Sequence, residues 1–225
     1  MNQTSDAVID EPLRPGTHYR TEFFRERGTI RTDGLVLDVG GRDGRTMSEL
    51  GVERGVLVDV ELSPRSSSVS YAKGSGTSLP IADGAADVVI SLDVIEHVDD
   101  DAALVAELVR VLRPGGQLVL TTPHEDIRVL PGPAQKFIDR SWGHHRVPGY
   151  RPERIAELLT AAGASDVDVE EVGMTRYRRT YVPMRILWSL PGPLGDRVVR
   201  WAASGDAAAT SAPRGFLLAT ASKAS

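Results

Sequence analysis

Residues 36–44 read VLDVGGRDG, a strand-like apolar run that ends in an acid and then turns through glycines. Glycine adopts positive φ and lets another group approach the backbone closely, as a sharp turn from a strand into a helix requires. Taken alone, such a turn fits either a nucleotide site or simple packing. Because the glycines fall at Gly40, Gly41 and Gly44, the dinucleotide pattern G-x-G-x-x-G is absent.

Apolar runs alternate with helical patterns on both sides of this turn. Strand-like runs occupy 35–39, 56–60, 87–95, 117–122, 167–172 and 215–222, and helical patterns cover 45–54, 99–112 and 152–163. Continuous Val/Ile/Leu strands separated by helices are typical of an α/β fold with a doubly wound, mostly parallel sheet and helices on both faces. Ligands of such sheets bind at the carboxyl ends of the strands.

Two regions lie outside the alternation. Residues 1–34 comprise a polar N-terminal arm and a short cap helix at 18–30, whose Phe23 and Phe24 form either a lid or ordinary packing. Residues 174–205 are rich in Arg, Tyr and Trp and form an insertion or an interface. We therefore predict one main domain at 35–225, with the arm and cap helix at 1–34 and the Arg/aromatic insertion at about 174–205.

Composition excludes several classes of function. The 225 residues include no cysteine, which rules out disulfides, thiolate metal sites and a cysteine nucleophile. The formal net charge is −5 and no basic block is present, so a nucleic-acid partner is not expected. No run approaches the roughly 18 apolar residues of a membrane span. We expect a soluble, cytoplasmic protein.

A second acid follows the next predicted strand, in the string VDVELSP at 58–64. A carboxylate at Glu61 is suited to accept hydrogen bonds from both hydroxyls of a ribose. Asp59 is the rival candidate, and a merely solvated acid is the plain alternative.

Four blocks of sequence, taken together, carry a family resemblance. VLDVGGRDG and VDVELSP are followed by GSGTSLP at 74–80 and SLDVIEHV at 91–98, with RPGG at 113–116 before the next strand. In this order and spacing, over roughly residues 35–123, they resemble the class I S-adenosylmethionine-dependent methyltransferases, particularly the small-molecule branch that includes the ubiquinone and menaquinone enzymes. The resemblance implies a Rossmann-like sheet of seven strands with an antiparallel last strand, and S-adenosyl-L-methionine as the cofactor.

The resemblance also implies a set of cofactor-binding residues. Those for the methionine part are Asp38, Gly40, Gly41, Arg42 and Gly44; those for the ribose are Glu61 and Leu62; those for the adenine are Ser75 and Gly76; and Ser91, Leu92 and Asp93 line the methyl-transfer site. Two positions depart from the family. Arg42 replaces a glycine and either points outward or pairs with the methionine carboxylate. Ser75 replaces an aspartate that usually faces the adenine.

Three residues are candidates for the base that methylation of a hydroxyl requires: His124, Asp93 and His97 all follow the fourth and fifth strands. His97 also suits a packing or capping role. The D-V-I-E-H string at 93–97 resembles the metal-binding strings of some relatives, but with a shorter first acid, and we predict no metal. His144 and His145 fit a polar, solvent-exposed loop as well as they fit a functional role.

The acceptor is only broadly defined by the sequence. We expect methyl transfer to an oxygen or nitrogen of a small molecule, such as a sugar or glycan precursor, a quinone or a secondary metabolite. The arginines and aromatic rings at 176–201 favour an anionic or aromatic acceptor. A homodimer face and a membrane-surface helix are alternatives for that segment. Two other functions stay open: a cofactor-binding but inactive partner subunit, and a nicotinamide-dependent oxidoreductase, which the glycine spacing disfavours.

Overall fold

The computed structural model describes residues 15–64, 66, 69–130, 149–190, 192–209 and 215–224. Its strands are β1 (Val36–Val39), β2 (Gly55–Asp59), β3 (Val69–Lys73), β4 (Ala86–Leu92), β5 (Leu112–Pro123), β6 (Ala164–Val172) and β7 (Phe216–Lys223). Its helices are α1 (Pro15–Arg27), α2 (Arg45–Glu49), α3 (Asp101–Val111), α4 (Pro152–Ala161), α5 (Thr175–Trp188) and α6 (Leu194–Ala207).

The seven strands form one sheet in the order β3-β2-β1-β4-β5-β7-β6. Strands β1 to β5 pair in parallel, whereas β7 runs antiparallel to both β5 and β6. The predicted α/β, doubly wound and mostly parallel sheet with an antiparallel last strand is confirmed. The strand order reverses beside β1, which places the glycine turn at the edge where such sheets bind ligands.

Helices cover both faces of the sheet, and each face has its own apolar core. One core joins the sheet to α1, α5 and α6 through residues such as Tyr19, Phe23, Met184 and Val199. The other joins it to α3 and α4 through residues such as Leu108 and Leu159. Strand β1 is buried along its whole length between these cores, which explains its unbroken apolar sequence.

Local sequence signals set several helix ends. The Asp100 carboxylate accepts a hydrogen bond from the Ala103 amide at 2.9 Å and so caps α3. Pro152 begins α4, and Gly163 follows its end with a φ of 86°. No helix in the described ranges is long and apolar enough to cross a bilayer.

The 174–205 segment forms an antiparallel pair of helices, α5 and α6, that packs against α1. Phe23 and Phe24 of α1 are fully buried in the core beneath this pair. The carboxylate of Asp206 on α6 accepts hydrogen bonds from the Tyr19 hydroxyl and from the Arg176 and Tyr177 amides, at 2.8 to 3.1 Å. One buried acid therefore joins three helices and caps the start of α5.

Candidate active site

The turn between β1 and α2 bends through three residues with positive φ. Gly40 has a φ of 87°, Arg42 of 54° and Gly44 of 76°. The exposed Arg42 thus keeps the left-handed backbone that glycine adopts freely, at a cost of about 1 kcal/mol. A side chain at Gly40 would overlap Val94, and one at Gly44 would overlap Val69 and Tyr71. The glycines are therefore required by close packing as well as by backbone geometry.

Asp38 lies at the end of β1, directly beneath this turn. Its side chain is buried, and a Cβ at Gly41 would overlap its carboxylate. Its Oδ2 atom has no hydrogen-bond partner among the described residues. Burial, with a smaller contribution from the charges of Asp59 and Asp43, raises the pKa of Asp38 to about 7. A buried carboxylate of this kind is suited to bind a cationic group.

The two acids after β2 have different surroundings. Asp59 is used by the backbone: its Oδ2 accepts the Arg42 amide at 3.0 Å and its Oδ1 accepts the Glu61 amide at 2.8 Å. Glu61 itself lies just past the strand end and is exposed. Asp59 therefore fixes the shape of the turn, and the carboxylate of Glu61 faces solvent at the same sheet edge.

The loop after β3 closes the opposite side of this edge. The hydroxyl of Ser75 lies 2.8 Å from that of Thr77, and Ser75 bridges to Ser78. A Cβ at Gly76 would lie 2.7 Å from Leu104 and 3.3 Å from Val39, so the loop backbone packs tightly against α3 and β1. Tight packing at Gly76 holds the loop beside the end of β1.

Polar side chains from α1, from β5 and from the residues just after β4 meet at the end of β4. Asp93 has a φ of 55°, forms an ion pair with Arg20 of α1, and accepts the Thr121 hydroxyl at 3.1 Å. Beside it, Glu96 is fully buried and accepts the Thr122 hydroxyl at 3.2 Å. Burial raises the pKa of Glu96 to about 7 against the opposing attraction of Arg20. The result is a charged group beneath the cap helix, next to the glycine turn.

The part of the chain that carries this arrangement is similar to known proteins. Residues 37–120, which contain the turn, Glu61 and the end of β4, match the sequence profile of the methyltransferase domain. This part of the chain is therefore similar to methyltransferase domains. This confirms the family resemblance carried by the four sequence blocks.

The sequence relatives of this chain match only part of it. An uncharacterised methyltransferase of Mycobacterium sp. (strain JLS) is 44% identical over 94 residues, which are 38% of this chain and 37% of that protein. A probable S-adenosylmethionine-dependent methyltransferase of Mycolicibacterium smegmatis is 32% identical over 114 residues, 47% of this chain and 44% of that protein. The chain therefore spans less than half the length of these curated relatives.

The similarity of folds to solved structures extends over nearly the whole chain. Haemonchus contortus phosphoethanolamine N-methyltransferase 2, solved with phosphomonomethylethanolamine and S-adenosylhomocysteine, superposes with a TM-score of 0.63 at 19% identity. The match covers 96% of this chain and 55% of that one. At this identity the likeness establishes a shared fold.

The three predicted base candidates have different environments. Asp93 lies in the charged group under α1, whereas His97 is exposed at the end of the short helical turn Ile95–His97. His124 is buried; its Nδ1 accepts the Asp126 amide at 3.0 Å and its Nε2 lies 3.7 Å from Glu171 of β6. The ring proton of neutral His124 therefore sits on Nε2, and the ring reaches across the sheet edge towards β6, away from β1.

The side chains of the D-V-I-E-H string do not converge on one point. Asp93 is paired with Arg20, Glu96 is buried under Thr122 and His97 is exposed. Within the described ranges, the metal-ligating side chains that do come together are His18, Glu22 and Glu49, where Glu22 is also paired with Arg25 and Arg200. His144 and His145 lie outside the described residues.

Arg20 is the site residue that the sequence did not indicate. It lies on the predicted cap helix, but its partner Asp93 is 73 positions away and no local pattern links the two. The sequence did not indicate Thr121 and Thr122 either, because they are polar residues at the end of an otherwise apolar strand. The only sequence signal for a role of Arg20 is that it is a basic residue on a helix before the first strand, and this signal is weak.

Proposed function

We propose that the chain binds S-adenosyl-L-methionine at the carboxyl ends of β1, β2 and β4 and transfers its methyl group to a small anionic acceptor. The observation that carries this proposal is the buried Asp38 carboxylate, with an unpartnered oxygen, beneath a turn that excludes side chains. The methionine part of the cofactor offers a cationic amino group for that oxygen. An ammonium group beside the buried Asp38 carboxylate stabilises its ionised form, which burial alone disfavours.

The other proposed cofactor contacts follow the same edge. The backbone of Gly40, Gly41 and Gly44, held close to its neighbours by tight packing, borders the methionine part, with Arg42 at the rim of the turn. The exposed Glu61, with Leu62 beside it, accepts the ribose hydroxyls, which Asp59 is unsuited to do because both its oxygens bind backbone amides. Ser75 and Gly76 face the adenine, and Ser91 and Leu92 line the path to Asp93. The buried Ser91 hydroxyl has no partner in the described part of the chain.

Arg20 gives the acceptor site its charge. Its guanidinium forms an ion pair with Asp93, and the charge of the buried Glu96 opposes the lowering of the Arg20 pKa that burial causes. A phosphate or carboxylate on the acceptor is suited to replace Asp93 as the ion-pair partner of Arg20, since guanidinium groups bind such anions in a bidentate way. That exchange frees the Asp93 carboxylate next to the reacting atom.

The chemistry then needs little beyond alignment and one proton acceptor. When bound, the cofactor supplies an electrophilic methyl group on a sulfonium. The residues at the end of β4 would align the acceptor oxygen or nitrogen with that methyl group, and a base among them would take up the proton that the acceptor loses on methylation. We rank Asp93 first as that base, because the Nδ1 lone pair of His124 is already engaged and His97 is exposed; both histidines stay predicted candidates.

A labelling experiment tests this function. The protein is incubated with methyl-labelled S-adenosylmethionine and the low-molecular-mass fraction of a cell extract, with Arg20→Leu as the comparison variant and Arg25→Leu on the same helix as its control. We expect label in small molecules retained by an anion exchanger, lost in Arg20→Leu and kept in Arg25→Leu. Label in protein or nucleic acid contradicts the acceptor class, and cofactor binding without any transfer indicates an inactive partner subunit.

A further inference from the structure

The α5–α6 pair carries an outward apolar strip, which we define as Val182, Ile186, Leu190 and Leu194. Each of these side chains is between 53% and 58% exposed. Together with Trp201 they make up five of the six large exposed apolar side chains in the described ranges, the sixth being Val60 of the cofactor edge. Scattered exposed apolar residues are ordinary, but their concentration on one helical pair marks an interaction surface.

The strip lies on the face of α5 opposite its packed face. Tyr177 and Met184 are buried against α1 and the sheet. Val182, Ile186 and Leu190 recur every four residues, so they share the other face of the helix and continue past its end. Leu194 then begins α6 on the far side of the turn. The inner packing of α5 therefore does not account for these apolar side chains.

Arginines that have no ion-pair partner among the described acids flank the strip. Residues 175–207 contain six arginines and two aspartates, in a chain whose net charge is −5. Asp206 is buried and Asp196 is bonded to His18 and Arg200. None of the described acids lies within ion-pair distance of Arg178, Arg179, Arg185 or Arg197. Arg179 and Arg185, three residues from Val182 on either side, are exposed beside it on the helix.

Trp201 adds a third feature of the same kind. Its ring is half exposed on α6, and the guanidinium of Arg176 lies over it, 4.7 Å from the ring centre. Tryptophan and arginine side chains with apolar bodies and polar ends are favoured where hydrocarbon meets charged head groups. Trp201 and Arg176 therefore place an aromatic ring and a cation next to each other on the α5–α6 pair, which we also call the α5–α6 hairpin.

We propose that the α5–α6 hairpin docks on an anionic lipid bilayer, with the apolar strip among the acyl chains and the arginines at the lipid phosphates. A helix with an apolar centre flanked by cations lies in the membrane interface in this way. Each arginine near an anionic surface adds about fivefold to the binding constant. This surface is separate from the cofactor edge, so the proposal does not depend on the proposed function.

The charge distribution favours a bilayer over a second copy of the chain. A symmetric dimer through this face would bring the same arginines of both copies together, since an isologous contact pairs a surface with itself. With no described acid available to neutralise them, such a contact meets repulsion of like charges. An anionic lipid surface supplies the missing negative charge.

Vesicle sedimentation tests the proposal. The full chain is mixed with vesicles of phosphatidylglycerol and phosphatidylcholine, or of phosphatidylcholine alone, and the pelleted fraction is measured. Two variants probe the hairpin: Ile186→Ser with Leu190→Ser, and Arg179→Gln with Arg185→Gln. Val60→Ser is the matched control, because Val60 is equally exposed but lies outside the hairpin. Far-UV circular dichroism and melting temperature establish that each variant is folded.

We expect sedimentation with the anionic vesicles that falls at least about fivefold in each double variant and is unchanged in Val60→Ser. Raising the salt from about 0.05 M to about 0.5 M should release the wild-type protein in part, because screening weakens the phosphate contacts. Equal binding by the folded double variants would overturn the proposal. So would absence of vesicle binding, including the case in which gel filtration shows a dimer that Ile186→Ser with Leu190→Ser dissociates.

Discussion

At the scale of single residues, Asp38 couples the proposed cofactor site to pH. Its pKa of about 7 without ligand falls when an ammonium group binds beside it, so below about pH 7 binding must release a proton. We expect the affinity for S-adenosylhomocysteine to rise about tenfold between roughly pH 5.5 and pH 7.5 and then to level off. Titration calorimetry at several pH values measures this.

The variant Asp38→Asn separates this carboxyl from the other one with a similar pKa, that of Glu96. It should bind S-adenosylhomocysteine more weakly and with little dependence on pH, because the titrating group beneath the turn is gone. A pH dependence that survives in Asp38→Asn would assign the proton to another group.

Glu61 is predicted to hold the ribose. Replacement by Ala removes the acceptor of two hydroxyl groups, and we expect affinity for S-adenosylhomocysteine to fall by about 1–3 kcal/mol. Glu53→Ala is the matched control, since Glu53 is also an exposed acid near β2. Unchanged affinity in Glu61→Ala would move the ribose role to Asp59, despite its two bonds to backbone amides.

The base candidates differ in how they should respond to mutation. Asp93→Asn removes the carboxylate next to the transfer site, and we expect turnover to drop about 10²- to 10⁴-fold with cofactor affinity changed far less. His124→Ala should also lower turnover while leaving cofactor affinity intact. Single-turnover rates and calorimetry on the same samples provide both readouts. Joint loss of affinity and turnover in either variant would indicate a structural role.

At the scale of elements, Asp206 holds the helical layer over the site. Asp206→Ala leaves the Tyr19 hydroxyl and two amides at the start of α5 without their acceptor. We expect the free energy of unfolding to fall by about 2–4 kcal/mol. Urea denaturation measures this, with the exposed Glu157→Ala as control. A change below about 0.5 kcal/mol, the usual range for surface substitutions, would contradict the role of Asp206.

The elements differ in how well their sequences predicted them. Strands β1 and β4 were evident because both faces of each are covered, which gives unbroken apolar runs. Strand β3 was not located, because it is a short edge strand with polar residues at Ser70 and Lys73. Helix α2 ends at Glu49 rather than near residue 54, since Gly51 adopts a φ of 77°. Pro183 obscured α5, which continues through it.

At the scale of the whole molecule, the sequence predicted the glycine turn and the acid after β2 because both lie in short, continuous blocks. It could not predict the pairing of Arg20 with Asp93 or of Asp206 with α5, because those contacts join residues distant in the chain. The cap helix and the α5–α6 pair thus supply contacts that only the folded chain reveals. The glycine turn at the sheet edge was predictable in outline, whereas the polar contacts at the end of β4 were not.

The central claim is that the edge formed by β1, β2 and β4 binds S-adenosylmethionine. Titration calorimetry of the intact chain with S-adenosylhomocysteine, and separately with NAD, tests it most directly. We predict saturable binding of S-adenosylhomocysteine at one site and no measurable binding of NAD. Binding of NAD without binding of S-adenosylhomocysteine would contradict the account.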